Sequence, residues 1–162
     1  MESTLTLLEN ALISGTYLKL QDQIIKDIEL KNHMISGSKI ENIVFENVIF
    51  KNFDFQASEF TNIKFLNCKF INCKFEFTKF STCNWVACTM DNCNFCITNS
   101  LNSNYLSCTF INIMCDFENW RENYFQDCNI EEENWIQMDS ESNQLNNRFH
   151  TSPLQSHCQL AA

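Results

Sequence analysis

The chain has 162 residues, of which 44% are hydrophobic and 19% charged, a composition typical of one globular domain. It contains 15 Phe and 10 Cys but only two Gly and one Pro, so it lacks the clustered glycines of phosphate loops and dinucleotide-binding motifs. The net charge is −9, and it is uneven: residues 43–115 hold five acids and five lysines, whereas residues 116–141 hold nine acids and one arginine.

The first predicted element is a short amphipathic helix from Ser3 to Ile13, which ends at Gly15. We expect residues 1–17 to cap one end of the domain that follows. The sequence shows neither a cleavable signal pattern nor a run of 18 apolar residues, which predicts a cytoplasmic protein that does not contact a membrane. In a reducing compartment the cysteines would remain thiols.

A five-residue repeat follows, and we assign residues 18–135 to it. Every fifth residue from Leu30 to Ile130 is apolar at 20 of 21 positions, and Ser100 is the exception. A helix advances about 500° in five residues and a strand changes face, so neither keeps these side chains on one side. The chain must therefore turn sideways at each repeat.

Two further positions of the repeat are regular. The residue two before each apolar centre is mostly small, and this pairing at spacing two predicts a short strand with both side chains inward. The residue two after the centre is often Asn, which tolerates the left-handed backbone of a corner. The predicted corner residues are Asn32, Asn42, Asn47, Asn52, Asn62, Asn67, Asn72, Asn92, Asn102 and Asn112.

The run FTNIKFLNCKFINCKFEFTKF at residues 60–80 resembles the unit of the pentapeptide-repeat family: a small residue, Asn or Asp, Leu or Phe, and two polar residues. The resemblance covers about 100 of the 162 residues. It implies an all-β, right-handed quadrilateral β-helix with four pentapeptides, or about 20 residues, per coil. The outward position before the centre departs from the family pattern at Lys64, Lys69, Lys74 and Lys79.

In such a coil, residues 20 apart would stack at about 4.8 Å. The predicted core ladder contains Phe45, Phe65, Phe50, Phe70, Phe55, Phe75, Cys68, Cys88, Cys108 and Cys128. Glu118 and Asn123 fall at inward positions, so we expect a register change or a loop near residues 116–127. The polar composition of residues 136–162 predicts a flexible tail.

The cysteines allow a chemical and a structural interpretation. Cys88, Cys93 and Cys96 match the C-x₄-C-x₂-C spacing of plant-type iron–sulfur ligands. The same spacing restates the five-residue repeat, and we favour small buried core residues. The histidines His33, His150 and His157 have no evident Ser or Cys partner. We therefore expect no catalytic residues, no cofactor and no metal, and a protein that is not an enzyme.

The first functional hypothesis is a non-catalytic protein-binding module. Apolar side chains recur at outward positions, and an exposed apolar patch marks a docking surface. The candidate interface residues are Ala57, Phe77, Ile97 and Phe117 on one side and Leu66, Val86 and Leu106 on another. The aromatic residues Trp120, Tyr124, Phe125 and Trp135 suggest a homodimer formed through the C-terminal end.

The alternative hypothesis comes from the resemblance. Quinolone-resistance and gyrase-poison immunity members of the family are DNA mimics that bind DNA gyrase or topoisomerase IV, which implies a protein partner and no direct contact with nucleic acid. The candidate mimic surface is Asp116, Glu118, Glu122, Asp127, Glu131, Glu132 and Glu133. The neutral coils of residues 43–115 weigh against it, because duplex DNA carries about one charge per 1.7 Å.

Overall fold

The computed structural model describes residues 19–130 and 142–146, and all regular structure in these residues consists of short parallel strands. The predicted helical cap in residues 1–17 lies outside the described residues. In chain order the strands are β1 Lys19–Gln21, β2 Ile24–Lys26, β3 Glu29–Lys31, β4 Lys39–Glu41, β5 Val44–Glu46, β6 Ile49–Lys51, β7 Glu59–Thr61, β8 Lys64–Leu66, β9 Lys69–Ile71, β10 Lys79–Ser81, β11 Asn84–Val86, β12 Thr89–Asp91, β13 Asn99–Leu101, β14 Asn104–Leu106, β15 Thr109–Ile111, β16 Trp120–Arg121, β17 Tyr124–Gln126 and β18 Gln144–Asn146. None of the described residues forms a helix long and apolar enough to cross a membrane.

The strands stack into three sheets around a four-sided coil. Sheet A has the order β1-β4-β7-β10-β13-β16, sheet B the order β18-β17-β14-β11-β8-β5-β2, and sheet C the order β15-β12-β9-β6-β3. Paired residues are 20 apart, as in Phe45 with Phe65. The fourth side, which we call side D, is joined by single bridges such as Asp54 to Lys74. The predicted quadrilateral β-helix of about 20 residues per coil is confirmed.

The corners lie where the repeat predicts them. All ten predicted Asn residues have a positive φ between 49° and 59°, the left-handed conformation that Asn tolerates well. Their backbone N–H groups donate to the next coil, as Asn62 N does to Ser81 O at 2.9 Å. Asn at these positions explains how the chain turns every five residues with so little glycine.

The core is a set of stacked side-chain columns along the axis. Phe55, Phe75 and Phe95 lie nearly parallel, with ring centroids 4.9 and 4.7 Å apart between neighbours. Neighbouring columns meet edge to face, as Phe45 does with Phe50. Every residue of the predicted core ladder is buried, with Cys128 the most exposed at 9%. Burial of each Phe contributes about 2 kcal/mol before the entropy of ordering the chain.

The small inward residues also satisfy the backbone. The hydroxyl of Thr78 donates to the carbonyl of Phe55 at 2.9 Å, and the thiol of Cys88 points to the carbonyl of Phe65 at 3.3 Å. Each donor lies 23 residues after its acceptor, and the same link recurs along the columns of Ser, Thr and Cys. Cysteine here is a small core residue with a weak donor.

The coil that begins near Cys115 departs from the pattern. In the preceding coils the turn on this side is closed by bonds such as Thr98 N to Phe95 O, but here Trp120 N donates to Phe117 O at 3.0 Å. This two-residue shift buries Phe117 completely, with its ring edge-on to Trp120 at 5.2 Å. Pairing 20 residues apart resumes at once, since Trp120 pairs with Ser100.

Two predictions for this coil are therefore wrong. Phe117 does not lie at the surface, because the column of Phe55, Phe75 and Phe95 ends in the smaller Cys115 and the Phe117 ring is drawn inward. Glu118 is exposed rather than inward, because it stands in the displaced turn. The expected irregularity near residues 116–127 is confirmed, but it is confined to residues 115–119.

The boundary of the C-terminal tail also needs correction. The composition of residues 136–162 predicts a flexible segment, yet β18 pairs with β17 in the 20-residue register, Tyr124 opposite Gln144. Asn143 is buried, and its side-chain Nδ2 donates to Trp120 O at 2.6 Å. The repeat thus continues into a sixth coil on sheet B. The remainder of the predicted tail lies outside the described residues.

Candidate protein interface

One of the four corners of the coil differs from the other three. The three polar corners each carry Asn in two or more coils, and stacked amides bond to one another, as Asn72 Nδ2 does to Asn52 Oδ1 at 3.1 Å. The corner between side D and sheet A has no Asn in the described coils. In chain order its residues are Gly37, Ala57, Phe77, Ile97 and Phe117. We call the exposed residues Ala57, Phe77 and Ile97 the apolar ridge.

The apolar ridge combines exposure with an unfavourable backbone. φ is 59° at Phe77 and 56° at Ile97, in a region where bulky and β-branched residues are outliers. Such a conformation costs about 1–3 kcal/mol per residue. Phe77 is 55% exposed and Ile97 48% exposed, so burial within the chain only partly offsets this cost. The ridge is apolar surface kept at some expense of stability.

The other predicted apolar residues form a separate surface. Leu66, Val86 and Leu106 pair in register on sheet B and are half-buried. They precede the corner between sheets B and C, which is diagonally opposite the corner that carries Phe77. The structure therefore does not bring the two predicted apolar groups together into one interface.

The predicted homodimer residues are largely part of the core. Trp120 and Phe125 are buried within the chain, where their rings stack on Tyr105 at 5.4 and 4.7 Å. Tyr124 is half-buried, and Trp135 lies outside the described residues. The proposed seam is wrong for Trp120 and Phe125, because these two residues have no surface to offer to a second chain.

The predicted acidic surface is confined to one coil. Glu118, Glu122 and Asp127 are exposed, but they fall within a single turn around the axis. Phosphates of duplex DNA continue along an axis, at about one charge per 1.7 Å. The described acids instead surround one level of the rod, and Glu131, Glu132 and Glu133 lie outside the described residues.

Asp116 belongs beside the apolar ridge rather than to the acidic coil. Its Oδ2 accepts a hydrogen bond from Ile97 N at 3.0 Å. Its Oδ1 is buried and has no hydrogen-bond partner among the residues that the structure describes. Asp116 therefore links the side-D carboxylates to the backbone of the ridge.

Glu76 is the second carboxylate beside the ridge, and it is absent from the residues predicted from the sequence. It is half-buried and accepts side-chain amide hydrogen bonds from Gln56 and from Asn94, the latter at 2.5 Å. Glu76 and Asp116 are 40 residues apart, which places them on the same side two coils apart. Reading the position before this corner at intervals of 20 residues could have revealed the pair.

The cysteines offer no reactive group in the described core. Cys88 and Cys93 point inward to the carbonyls of Phe65 and Phe70. Burial raises the pKa of the Cys83 thiol to about 12, which keeps it protonated at neutral pH. No group of three or more His, Cys, Asp or Glu side chains in residues 19–130 and 142–146 is arranged to hold a metal ion.

The surface cavities are shallow grooves along the corner between sheet C and side D. The larger, of about 410 Å³, is lined by Asn32, His33, Met34, Asn52, Phe53, Asp54, Asn72 and Lys74. His33 packs edge-on to Phe53, with ring centroids 5.9 Å apart. The smaller, of about 250 Å³, continues past Asn92 to Met114. These grooves expose stacked amides and lie one corner away from the apolar ridge.

The coil of four five-residue units, with Phe centres, small inward residues and Asn corners, defines the chain as a pentapeptide-repeat β-helix. No family model and no curated protein matches the sequence. Among solved structures, the chain is 12% identical to a pentapeptide repeat protein from the thylakoid lumen of Arabidopsis thaliana, with a TM-score of 0.39, over 67% of this chain and 72% of that one.

The plasmid-mediated fluoroquinolone resistance protein QnrB1 is also similar. Its trypsin-treated form is 12% identical, with a TM-score of 0.31, over 80% of this chain and 92% of that one. Its full-length form is 11% identical, with a TM-score of 0.27, over 80% of this chain and 94% of that one. At this identity the similarities concern the fold alone.

Proposed function

We propose that this protein is a non-catalytic, cytoplasmic protein-binding module whose contact surface is the apolar ridge. The observation that carries this proposal is the conjunction at Phe77 and Ile97 of a strained backbone and half-exposed apolar side chains. Strained conformations persist where the surrounding structure enforces them, and they cluster at functional sites. An apolar contact with a partner would recover the free energy that burial within the chain does not supply.

The ridge is also rigidly held. Phe77 and Ile97 are flanked by β10 and β13, which pair in register within sheet A. The core residues Phe75 and Phe95 stack beneath them at 4.7 Å. A rigid surface loses little entropy on binding, which favours affinity from a small contact area.

The test replaces the ridge residues by the residue that the other corners use. The double variant Phe77→Asn with Ile97→Asn removes the apolar surface and relieves the backbone, so it should fold. The control variant Ile24→Thr removes an equally exposed apolar side chain from sheet B. The wild type and each variant are used as tagged bait in a lysate of the source organism, and any retained protein is purified and titrated.

We expect a partner that binds the wild type and Ile24→Thr alike and binds the double variant at least about tenfold more weakly. Equal binding to all three proteins would exclude the ridge as the contact surface. Loss of binding in Ile24→Thr alone would move the contact to sheet B.

A second proposal is that the protein binds DNA gyrase or topoisomerase IV as a DNA mimic. The observation in its favour is that Glu118, Glu122 and Asp127 are exposed together at one level of the rod. The test is a supercoiling assay with purified gyrase, with and without a quinolone. Inhibition or protection at micromolar protein would support mimicry, and neither effect would exclude it. The triple charge-neutral variant Glu118→Gln, Glu122→Gln, Asp127→Asn should abolish any effect.

A further inference from the structure

We propose that the apolar ridge takes a short peptide segment that carries Arg or Lys next to an apolar side chain. This inference rests on the proposed protein-binding function and adds the chemistry of the partner. The basic side chain would meet Glu76 and Asp116, and the apolar side chain would cover Phe77 and Ile97.

The first step of the argument is the position of the two carboxylates. Glu76 immediately precedes Phe77, and Asp116 holds the backbone N–H of Ile97. Two coils separate the acids, or about 10 Å along the axis, while the ridge residues are about 4.8 Å apart. The carboxylates therefore lie along one flank of the ridge, within reach of a side chain from a segment that covers it.

The second step is that their charge is not neutralised within the described chain. The hydrogen bonds to Glu76 come from the neutral amides of Gln56 and Asn94, and the bond to Asp116 Oδ2 comes from a backbone N–H. These donors fix the carboxylates without cancelling their charge. Among the described residues the ion pairs involve Glu29 and Glu59, not Glu76 or Asp116.

The third step compares the two flanks of the ridge. On side D, Asp54 and Lys74 carry opposite charges and are joined by a backbone bridge, which leaves Glu76 and Asp116 as the excess. On sheet A, Glu59 is paired with Lys39 at 3.6 Å and with Lys79 at 3.4 Å, so that flank has a small positive excess. Complementarity of charge thus asks for a basic residue on the side-D flank only.

The fourth step concerns the size of the occupant. Phe77 and Ile97 together expose roughly 200 Å² of apolar side chain, judged from the 150–250 Å² that a large aromatic residue can bury. A standard interface between folded proteins buries about 800 Å² on each partner. The ridge alone is too small for a stable pairing of two folded copies, and it fits a short segment.

The test uses three labelled ten-residue peptides of fixed pattern, alternating Leu with Arg, Leu with Glu, and Ser with Arg. Binding to the full chain is followed by fluorescence anisotropy at low and at physiological salt. The flank variant is Glu76→Gln with Asp116→Asn. Its control, Glu46→Gln with Asp91→Asn, removes the same charge from sheets B and C. The ridge variant is Phe77→Asn with Ile97→Asn, with Ile24→Thr as its control.

We expect the Leu–Arg peptide to bind best. The flank variant should weaken it about three- to tenfold, less at higher salt, and the charge control should change it by less than about twofold. The ridge variant should weaken it more than about tenfold, and Ile24→Thr should leave it unchanged. Circular dichroism checks that every variant keeps its β structure.

Several outcomes would overturn the inference. Equal weakening by the flank variant and the charge control would show that the overall negative charge, rather than the flank, attracts the peptide. Equal affinity for the Leu–Glu peptide, or no binding of the Leu–Arg peptide, would exclude recognition of a basic residue. If the ridge variant weakens binding while the flank variant does not, the ridge remains the contact surface and only the charge inference fails. If neither variant nor pattern matters, the proposed function fails as well.

Discussion

The hydroxyl groups of Tyr105 and Ser100 lie 2.8 Å apart in the core of the β-helix. Ser100 interrupts the column of Phe60, Phe80 and Trp120, and the space left by its small side chain accommodates the hydroxyl of Tyr105. Asn123 completes the polar cluster: its Oδ1 accepts bonds from Ser100 Oγ and Ser103 N. Two polar replacements in adjacent columns are thus satisfied together, as buried polar groups require.

Asn123 is therefore predicted to be the most sensitive polar residue of the core. Its Nδ2 also donates to Ser100 O at 2.9 Å, and its backbone N–H donates to Asn143 Oδ1 at 3.0 Å. Asn123→Ala would leave several buried groups unpaired, at about 1–3 kcal/mol each. We expect a loss of about 3 kcal/mol in the free energy of unfolding, measured with urea.

The control for Asn123→Ala is Asn129→Ala, which changes an exposed side chain near the same end of the rod. It should alter the free energy of unfolding by less than about 0.5 kcal/mol. Equal losses in the two variants would show that the polar cluster contributes nothing specific. The cluster also reaches β18 through Asn143, so Asn123→Ala should speed amide hydrogen exchange in residues 144–146.

Most of the fold could be predicted from the sequence because the repeat states the same local rule many times. The apolar centre of Phe70, the small Cys68 and the corner Asn72 each have counterparts 20 residues away, so columns follow from spacing alone. The irregular coil could not be placed. Which of Cys115 and Phe117 enters the core depends on the space above Phe95, a tertiary quantity that no local pattern contains.

The candidate site was predicted in part. Phe77 and Ile97 were recognised because apolar residues at outward positions break the pattern. Their strained backbone could be seen only once the corner position was known to have positive φ at every coil. Glu76 was missed because its charge is balanced by Lys74 and Lys79 in the sequence, whereas in the structure these residues are not paired with it.

The corner at Ile97 gives a prediction about backbone strain. Ile97→Asn should relieve about 1–3 kcal/mol of unfavourable φ and lose about 1 kcal/mol of partial burial, for a net gain of about 1 kcal/mol. For a chain of this length that corresponds to a rise of about 2–4 °C in Tm. The measurement is a thermal unfolding scan by circular dichroism.

The reciprocal exchange serves as its control. Asn72→Ile would place a β-branched residue at φ of 53° and remove the amide bonds to Asn52 and Asn92. We expect a fall in Tm of at least about 4 °C. A lower Tm for Ile97→Asn would contradict the claim that the ridge is strained.

Phe70 and Phe77 form a matched pair that separates the core from the ridge. Phe70 is fully buried between Phe50 and Trp85, so Phe70→Asp would bury an unpaired charge and should unfold the coil. Phe77→Asp places the same charge at an exposed corner, where Asp tolerates the left-handed backbone. Far-ultraviolet circular dichroism should lose its β signal only in Phe70→Asp, and a folded Phe70→Asp variant would contradict the stacked core.

The thiol of Cys83 predicts a specific loss of stability at alkaline pH. Burial raises its pKa from 9.0 to about 12, because the thiolate would lose its hydration in the core. The folded state therefore favours the protonated thiol, and its contribution is complete below pH 9 and declines as the pH rises toward 12. The expected slope is at most about 1.4 kcal/mol per pH unit. Urea unfolding at pH 8, 9, 10 and 11 measures it. Cys83→Ser is the control, since Ser58 already fills an equivalent inward position and donates to Ile35 O. The variant should lose less stability than the wild type above pH 9, and parallel declines in the two proteins would show that Cys83 does not titrate with unfolding.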